Sequence, residues 1–493
     1  MIDRIVRSRL FYRLSEIAIP LLSWLIITVP IWLSPFHPAL VAYFIIAFEL
    51  YFLYKSITNA YYASLSFQRI NQENRINYAK KLTKLKLAQT IKHFIIIPNY
   101  KEPIYKIEST INSFIRNDYP YKNIYLVLAF EKKEEDEARE KCAILEKKFS
   151  FFFNEIIDCY HTLVENEVQG KASNQTYAGK IIEKYAEENK LDPEKIIITV
   201  CDADSRLPKN YFSYLTHRYL QDQDRLYHFY WAPVLLYNNF WQLPFFVRIQ
   251  ATLSSVLRLS LLSNKENLIQ ISTYSTSLKL LQKINFWDVN IIPEDWHVYY
   301  QAFFALGEKV KTIPLYTIIG GDAVYSGTVI KTLTNRYEQE KRWAWGVSDV
   351  PYAINKLFTT PHINFLKKMR KVLFLIESHL LWPTSFFILT LSASIPPLIN
   401  PIFKRTVLGF ILPKLSGLIL SFASSMLVLY VYLDLKLRQK VNQKTSYTQL
   451  PLLIVQWYLL PVVSFFLSSL PALDAHTRLL FGKKIKYQVT EKV

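Results

Sequence analysis

Hydrophobic residues follow two different patterns along the chain. Near both ends they form long apolar runs, whereas between about residues 90 and 360 the runs are short and alternate with charged stretches. Ile17–Phe36 carries no charge, and the next run continues to Tyr54, interrupted only by Glu49. A helix needs about 20 apolar residues to cross the core of a bilayer. The pattern therefore predicts five candidate membrane spans, namely these two and Ser378–Phe403, Leu415–Leu433 and Leu450–Leu473.

The middle of the chain has the pattern of an α/β domain. The short apolar runs "HFIIIP", "IYLVLAF" and "KIIITV" alternate with stretches of helical period such as "EEDEAREKCAILEKKF". Strands that alternate with helices form a mostly parallel sheet covered on both faces. We therefore expect an α/β domain over 91–360, inserted between transmembrane helices of a multi-pass membrane protein. The flanking parts would be a basic segment with a transmembrane hairpin over 1–56, a linker over 57–90, and an interfacial helix, about three spans and a basic tail over 361–493.

The placement of basic residues predicts on which side of the membrane the middle domain lies. Lys and Arg outnumber Asp and Glu by 59 to 40, which leaves a net charge of +19, and basic clusters such as "MIDRIVRSRLFYR" and "LKKMRK" flank the spans. Because positively charged loops stay in the cytoplasm, we expect the middle domain on the cytoplasmic side of the cell (inner) membrane. The last apolar segment contains Pro451, Pro461 and Pro471, so we expect it to dip into the membrane and return, which keeps the tail cytoplasmic.

The positive charge also narrows the choice of partners. Nucleic acid, acidic lipid headgroups and nucleotide diphosphates would all be attracted, but the apolar runs argue against nucleic acid. Two amphipathic stretches, Phe240–Leu262 and Phe365–Ile376, fit either a helix packed on the sheet or one that lies on the membrane surface. The Lys-Lys-x-Arg-Lys run favours the membrane surface for the second stretch.

Candidate chemistry lies where the predicted strands end. Ligands of open α/β sheets bind at the carboxyl ends of the strands, and "IIITVCDADSRLP" places Asp202 and Asp204 just past an apolar run. Alternate residues of an extended chain point to the same side. Two carboxylates suit Mg²⁺ or Mn²⁺, which needs only one or two of them in addition to substrate phosphates. A D-x-D triplet alone is more often an acidic turn or a helix cap.

Two further motifs follow downstream. "NIIPEDWH" contains Glu294 and Asp295, a pair that would by itself indicate a solvated loop end. "RYEQEKRWAWG" contains Gln339, Arg342 and Trp343 at positions i, i+3 and i+4, which share one face of a helix. These side chains suit phosphate and sugar, because arginine pairs bidentately with phosphate and an indole stacks on the apolar faces of sugars. The plainer interpretation is a surface helix with Trp343 in the core.

In this order and spacing the motifs resemble the membrane-bound family 2 glycosyltransferases, the group of the cellulose, chitin and hyaluronan synthases. The resemblance extends over about 92–349 and the membrane segments at both ends, and it implies a GT-A-like, nucleotide-sugar-binding fold. It implies that Asp295 is the general base and that Asp204, with Asp202, holds the metal. On the acceptor side it places Glu294, Gln339 and Trp343, and on the donor side Pro98, Tyr100, Glu102, Glu131, Lys171, Asp202, Arg342 and Thr490.

The chain departs from the family pattern in several places. Glu131 stands where the family has an aspartate, and Lys101 where an asparagine is common. "STYSTSLKLL" replaces a glycine-containing acceptor loop with arginine, so transfer of a single sugar stays as open as polymer synthesis. "YQVTEK" resembles a gating segment that brings Thr490 to the donor, with Tyr487 in place of phenylalanine. The alternative for this segment is a short basic tail without such a role.

The resemblance implies a metal-dependent transfer from a nucleotide-diphosphate donor, expected to be a UDP-sugar, to a saccharide or lipid acceptor. Metal and cations neutralise the leaving group, and a base takes the proton of the acceptor hydroxyl. A single in-line displacement inverts the anomeric centre. Two alternatives are a non-catalytic membrane scaffold and a transporter with a regulatory glycosyltransferase-like domain. Transporters carry ionisable residues inside their spans, and the nearest here are Glu49 and Glu377, which the sequence places away from the middle of the spans.

Overall fold

The computed structural model describes Val6 and residues 8–165, 167–440 and 449–485. Within these residues the chain divides into two compact units. The sheet unit consists of Leu65–Asn238 and Leu261–Asp322, and the helical unit of the described parts of Met1–Ser64, Asn239–Ser260 and Ala323–Val493. The domain limits expected from the sequence at residues 56, 90 and 360 stay predictions.

The described residues of the sheet unit form nine strands. They are β1 Lys92–Asn99, β2 Ile124–Glu131, β3 Glu155–His161, β4 Ile196–Val200, β5 His228–Trp231, β6 Val234–Leu235, β7 Tyr274–Ser277, β8 Lys311–Pro314 and β9 Ile319–Gly320. Seven of them form one sheet in the order β3-β2-β1-β4-β7-β5-β8, and β6 pairs with β9. All neighbouring strands of the large sheet are parallel except β7, which is antiparallel to β4 and β5. The predicted α/β fold with a mostly parallel sheet is thereby confirmed.

The helices are numbered in chain order through both units. They are α1 Arg9–Trp32, α2 Pro38–Glu73, α3 Tyr78–Leu82, α4 Ile104–Ile115, α5 Glu135–Phe149, α6 Lys171–Glu188, α7 Tyr211–Gln221, α8 Phe245–Ser263, α9 Leu278–Lys283, α10 Glu294–Leu306, α11 Val329–Ala344, α12 Asp349–Thr359, α13 Phe365–Thr390, α14 Ile395–Ile399, α15 Pro401–Lys404, α16 Val407–Lys440, α17 Leu450–Val455, α18 Leu460–Ser464 and α19 Leu470–Leu480.

The three apolar runs became β1, β2 and β4, which lie side by side at the centre of the sheet. Their isoleucine, leucine and valine side chains are almost fully buried, as parallel strands covered on both faces require. The charged stretch of helical period became α5, as predicted. The carboxyl ends of β1, β2 and β4 therefore lie next to one another, at one edge of the sheet.

Strand β7 was not predicted. Its sequence is Tyr-Ser-Thr-Ser, yet all four residues are buried between β4 and β5. The buried hydroxyls have partners, because Ser275 Oγ bonds Thr199 Oγ1 at 2.8 Å and Thr276 Oγ1 donates to the His228 carbonyl at 3.0 Å. Burying a hydroxyl that keeps a hydrogen bond costs little, so tertiary pairing here overrides the polar pattern of the sequence.

In the described part of the chain, six helical segments are long and apolar enough to cross a membrane. They are Arg9–Trp32, Pro38–Glu73, Phe245–Ser263, Phe365–Thr390, Val407–Gln439 and Pro451–Leu480. Five of them overlap the predicted spans. The sixth belongs to the amphipathic stretch Phe240–Leu262, and 61% of its most apolar window is buried inside the protein.

The third predicted span has different limits in the structure. Helix α13 begins at Phe365, so it includes the basic cluster that the sequence suggested as a separate interfacial helix, and it ends at Thr390. The short helices α14 and α15 follow it, with Pro396 and Pro401 in their first turns. A proline fits the first turn of a helix because its missing N–H would have no partner there, so both short helices begin where their prolines are tolerated.

The last apolar segment is also shaped by prolines. Pro451, Pro461 and Pro471 each stand at the start of a helical piece, in α17, α18 and α19. A short turn of π-helix, Phe465–Ser469, joins the last two pieces. The expectation that this segment dips into the membrane and returns stays a prediction.

Polar side chains connect the helices of the helical unit. Helix α19 packs against α1 and α11. Between α1 and α19, Ser23 Oγ bonds His476 Nδ1 at 3.1 Å, and Trp24 Nε1 donates to Thr477 Oγ1 at 3.1 Å. Glu49 in α2 is fully buried and accepts a hydrogen bond from Ser416 in α16. These contacts give Ser23, Ser416, one oxygen of Glu49 and one ring nitrogen of His476 a partner among apolar helices, where an unpaired polar group is costly.

Candidate active site

Three charged residues from three separate segments of the sheet unit meet at the carboxyl end of β4. Lys171 begins α6, Asp202 follows β4, and Glu294 begins α10. The Lys171 ammonium lies 2.7 Å from Asp202 Oδ1 and 3.3 Å from Glu294 Oε1. It also donates to the Ser272 carbonyl at 3.2 Å. The fold thus brings the D-x-D and E-D motifs to one lysine, although about ninety residues separate them in sequence.

Burial and the neighbouring charges shift the pKa values of Lys171 and Glu294. Burial by itself would lower the pKa of Lys171, but the nearby carboxylates of Asp202, Glu294 and Asp295 outweigh burial and raise it well above its usual value. Burial raises the pKa of Glu294 to about 7, against the attraction of Lys171. Lys171 is therefore a permanent cation, whereas Glu294 titrates near neutral pH.

Asp295 is held by a backbone group. Its Oδ2 accepts a hydrogen bond of 2.8 Å from the N–H of Ser272, and its own carbonyl accepts one of 3.1 Å from Gln270 Nε2. Ser272 has φ +67°, a left-handed conformation that is uncommon for residues other than glycine. Asp295 also lies in the first turn of α10, where the helix dipole favours a negative charge. These contacts fix the position of the Asp295 side chain next to the Lys171 cluster.

The D-x-D turn is fixed by hydroxyl groups. Asp202 N–H donates to Thr273 Oγ1 at 3.2 Å, and Thr273 Oγ1 bonds Ser205 Oγ at 2.9 Å. The N–H of Ser205 donates to the Asp202 carbonyl at 2.9 Å, which closes the turn. Asp202 and Asp204 are both partly exposed. The turn therefore presents two carboxylates at the edge of the sheet.

These carboxylates fit a hard divalent cation. Among the described residues no group of three His, Cys, Asp or Glu side chains is arranged to hold a metal. Mg²⁺ and Mn²⁺ do not need such a cage, because one or two carboxylates suffice when substrate phosphates and water complete the shell. Asp202 Oδ1 faces Lys171, so a cation at this turn would lie beside the Lys171 cluster.

The Pro98 motif, which consists of Pro98, Tyr100 and Glu102, lies at the end of β1, next to β4. Asn99 is buried, and its Oδ1 accepts a hydrogen bond of 3.2 Å from the N–H of Glu102. Lys101 has φ +59°, and its ammonium lies 5.4 Å from the centre of the Tyr100 ring. The Asn99 bond and the left-handed Lys101 form a tight turn, which keeps Tyr100 and Glu102 at the same sheet edge as the D-x-D turn.

Glu131, the last residue of β2, is buried with 5% of its surface exposed. His161 Nδ1 lies 3.2 and 3.1 Å from its two carboxylate oxygens, and His161 Nε2 lies 3.0 Å from Glu167 Oε2. Carboxylates only accept hydrogen bonds, so His161 satisfies both neighbours best when both ring nitrogens carry protons. Burial by itself lowers the pKa of His161, but the bonds to Glu131 and Glu167 outweigh it and raise the pKa.

The Q-x-x-R-W motif lies in α11, in the helical unit. Gln339 is buried and accepts a hydrogen bond from Arg336, which also pairs with Glu340. The ring of Trp343 faces two guanidinium groups, with Arg336 Cζ 4.7 Å and Arg258 Cζ 5.6 Å from its centre. Gln339 and Trp343 therefore both contact Arg336, a buried arginine of the same helix that does not belong to the motif. Thr490 and Tyr487 lie outside the described residues.

Sequence reasoning missed several residues that contact the predicted site. Ser272 and Thr273 belong to the stretch that differs from the usual acceptor loop, and they contact Lys171, Asp295 and Asp202. The only signal in the sequence was the hydroxyl-rich run "STYSTS", which is unusual next to apolar strands. His161 carried no signal, because an isolated histidine at a strand end has no pattern that indicates its partners.

Three solved structures show a distant likeness to this chain. A mannosyltransferase from Pyrobaculum calidifontis, in complex with GDP-Man and Mn²⁺, is 14% identical with a TM-score of 0.41, over 81% of this chain and 98% of its own. TarS 1–349 from S. aureus, in complex with UDP-GlcNAc, is 10% identical with a TM-score of 0.34, over 81% and 94%. GalNAc-T7 with UDP, GalNAc and Mn²⁺ is 13% identical with a TM-score of 0.33, over 59% of both chains. Likenesses this distant carry no argument about donor, acceptor or metal.

The comparison at the level of sequence families is more direct. A search of curated proteins found no match. The family model described as "Glycosyl transferase family group 2" matches residues 197–460, more than half of the chain. The matched region begins in β4 and includes the D-x-D turn, the E-D pair and the Q-x-x-R-W helix. The chain therefore belongs to glycosyl transferase family group 2 and is a glycosyltransferase.

Proposed function

We propose that this protein is a multi-pass membrane enzyme that transfers a sugar, with inversion, from a nucleoside-diphosphate donor to a saccharide or lipid acceptor. The observation that carries the proposal is the cluster around Lys171, which places one cation between Asp202 and Glu294 at the carboxyl end of β4. Ser272 connects the same lysine to Asp295. An anionic donor, its leaving group and an acceptor hydroxyl would thus find cation, metal ligand and base within one unit.

The reaction would follow from the charges of these residues. Asp295 accepts the proton of the acceptor hydroxyl while that oxygen bonds to the anomeric carbon. The bond between this carbon and the β-phosphate oxygen breaks, and the nucleoside diphosphate leaves with the electron pair. Lys171 lies where it would attract the donor's diphosphate, because it is the permanent cation of the cluster. One displacement from the opposite face inverts the anomeric centre, so an α-linked donor would yield a β-linked product.

Asp204, with Asp202, would hold Mg²⁺ or Mn²⁺. When bound, such a cation neutralises charge on the departing diphosphate. We expect a UDP-sugar as the donor, with Pro98, Tyr100, Glu102 and Glu131 on the nucleotide side, where the family resemblance places them.

Roles for the Q-x-x-R-W helix rest on the same resemblance. Arg342 would stabilise the departing diphosphate, and Gln339 and Trp343 would border the acceptor together with Glu294. Thr490 would approach the donor. The candidate spans and the basic flanks support a location in the cell (inner) membrane with the sheet unit on the cytoplasmic side.

The central test measures transfer by the purified full-length protein in lipid nanodiscs. Labelled nucleotide sugars are supplied with Mn²⁺ or Mg²⁺ and native lipids, and both labelled product and free nucleoside diphosphate are quantified. Loss of a general base lowers the rate by about 10²- to 10⁴-fold, so Asp295→Asn should be nearly inactive. Asp136→Asn, which changes an exposed carboxylate in α5, is the matched control. Equal rates for Asp295→Asn and wild type would refute the assignment of the base.

The product distinguishes the remaining possibilities. Its anomeric configuration, read by NMR, should be opposite to that of the donor, and retention would exclude the single displacement. Its size on a gel separates a polymer from a single added sugar. Chelation of divalent metal should abolish transfer, and activity that survives chelation would remove the proposed role of Asp204.

A further inference from the structure

The D-x-D turn is connected on its far side to the small sheet of β6 and β9. Arg206, two residues after Asp204, exchanges two backbone hydrogen bonds with Gly320 of β9, at 2.7 and 3.0 Å. Strands β6 and β9 are parallel neighbours, with Leu235 opposite Gly320. The residue that follows the D-x-D turn is therefore held in place by its pairing with β9.

Asn238 connects the same parts through its side chain. Its Nδ2 donates to the carbonyl of Asp204 and to Oδ1 of Asp322, both at 3.1 Å. Its backbone N–H donates to the Gly321 carbonyl at 3.2 Å. One amide group thus joins the backbone of the predicted metal ligand to a second acidic residue that no motif contains.

The position of this amide depends on a glycine. A Cβ atom at residue 320 would overlap with Asn238 Oδ1, because the two atoms would lie closer than real side-chain atoms approach one another. Only glycine leaves room for the Asn238 side chain in its observed place. Gly320 therefore has two roles: it pairs with Arg206, and it leaves room for the bridge that the Asn238 side chain makes between Asp204 and Asp322.

Asp322 is itself held by a buried cation. Lys106, in the first turn of α4, lies 3.5 Å from Asp322 Oδ2, and the side chains are 5% and 14% exposed. Lys106 faces one carboxylate oxygen of Asp322, and the other oxygen accepts the hydrogen bond from Asn238 Nδ2, so Asp322 is held between the two side chains. The bridge thus connects the D-x-D turn, through Asp322, to the helix that follows the Pro98 motif.

We propose that Asn238 is a positioning residue, which holds the D-x-D turn in the geometry that binds the metal–diphosphate pair, and that Gly320 and Asp322 hold Asn238 in place. The inference rests on the proposed function, because it takes Asp204 to be a ligand of the metal. Asn238 acts through the backbone of Asp204 and touches neither donor nor metal itself. Its loss should weaken binding of the metal with the nucleotide more than it slows transfer once both are bound.

The test measures Mn²⁺ binding, so that it does not depend on turnover. The signal of free Mn²⁺ in electron paramagnetic resonance gives the Kd for Mn²⁺ in the presence of UDP, on full-length protein in nanodiscs. Asn238→Ala should raise this Kd by about three- to tenfold, which corresponds to the loss of one or two hydrogen bonds. Gly320→Ala should raise it similarly, because the added methyl group displaces an intact Asn238.

Controls separate positioning from general damage. Asn239→Ala removes a neighbouring amide that also makes two hydrogen bonds, both to Ala323 and none to Asp204, and it should bind Mn²⁺ as wild type does. In the Asn238 and Gly320 variants, raising Mn²⁺ should restore kcat to within about twofold, whereas a misfolded protein would not recover. Wild-type Kd values in both variants would overturn the inference.

The proposed function can fail separately. If the wild type and Asp204→Asn bind Mn²⁺ with UDP equally well, Asp204 is not a metal ligand, and both its proposed role and the positioning role of Asn238 fall, whereas sugar transfer is tested separately through Asp295→Asn. If Asp204→Asn binds weakly while Asn238→Ala and Gly320→Ala bind normally, only the positioning role of Asn238 is wrong.

Discussion

The backbone N–H of Ser272 donates a hydrogen bond of 2.8 Å to Oδ2 of Asp295, and it does so from a left-handed conformation with φ +67°. The carbonyl of the same residue accepts from Lys171. A single peptide segment thus orients both the proposed base and the proposed donor-binding cation. Unfavourable backbone conformations of this kind persist where the surrounding contacts require them, often at functional sites.

The first prediction concerns this peptide segment. Ser272→Gly keeps the N–H and relieves the left-handed strain, so we expect unchanged transfer and a stability gain of up to about 1 kcal/mol. Ser272→Pro removes the N–H and forces a negative φ, so transfer should fall by at least about tenfold. Steady-state rates and apparent melting temperatures of both variants check this. If Ser272→Gly loses as much activity as Ser272→Pro, the hydroxyl matters and the N–H does not.

The second prediction concerns Lys171. Lys171→Met leaves Asp202 and Glu294 without the cation between them, so donor binding should weaken and transfer should fall by about 10²-fold or more. Lys171→Arg keeps the charge and should retain part of the activity. Lys180→Met, on the exposed side of the same helix, is the control and should behave like the wild type. Donor KM and kcat are measured for all four proteins, and near-normal kinetics in Lys171→Met would contradict the prediction.

The third prediction is a pH dependence that arises from Glu294. Burial raises the pKa of Glu294 to about 7, so this carboxyl group becomes negative as the pH rises from about 6 to about 8. The added charge opposes an anionic donor, and the donor KM should therefore increase by about threefold over this range. Glu294→Gln cannot ionise and should show a flat KM. The exposed Glu187→Gln in α6 should keep the wild-type profile; an unchanged profile in Glu294→Gln would mean that another group titrates.

The fourth prediction concerns the stability of the buried His161. Its pKa is raised above the usual 6.5, because the bonds to Glu131 and Glu167 outweigh burial. A base with a raised pKa contributes stability that is fully present below about pH 6.5 and is lost as the pH rises through the folded-state value. The gap in apparent melting temperature between wild type and His161→Asn should therefore narrow as the pH rises above about 6.5.

His217 provides a contrast for this experiment. Burial lowers its pKa, with Lys81 and Arg218 contributing in the same direction. For His217 the neutral form is favoured in the folded state. His217 should therefore lower the stability of the protein as the pH falls below about 6.5. A gap for His161→Asn that is constant across pH would show that His161 is not charged in the folded protein.

Part of the fold could be predicted because its causes are local. The runs that became β1, β2 and β4 are apolar and β-branched, and α5 has a helical period, so each element follows from short stretches of sequence. Strand β7 could not be predicted, because its Ser and Thr hydroxyls are satisfied only by partners on other strands. The limits of α13 were misplaced because the apolar run does not coincide with the helix, which begins at Phe365 before the basic cluster and ends at Thr390.

The same division applies to the site. The residue types and spacing of Asp202, Asp204 and the Q-x-x-R-W motif suit metal and phosphate, and the order of the motifs resembles a known family, which implies that Asp295 is the base. The spacing did not show that Asp202 and Glu294 both contact Lys171. The order of the strands in the sheet brings these three residues together, and it cannot be read from the sequence.

The sequence by itself determined the kind of protein: candidate membrane spans at both ends, a mostly parallel α/β unit between them, and motifs that resemble those of family 2 glycosyltransferases. Those properties depend on hydrophobic period and residue type, which act locally. Only the tertiary structure decided that Ser272 holds Asp295, that Asn238 joins Asp204 to Asp322, and that His161 lies between Glu131 and Glu167. Hydrogen bonds between distant segments depend on distances of a few tenths of an ångström, and those distances exist only after the strands have paired and the helices have packed.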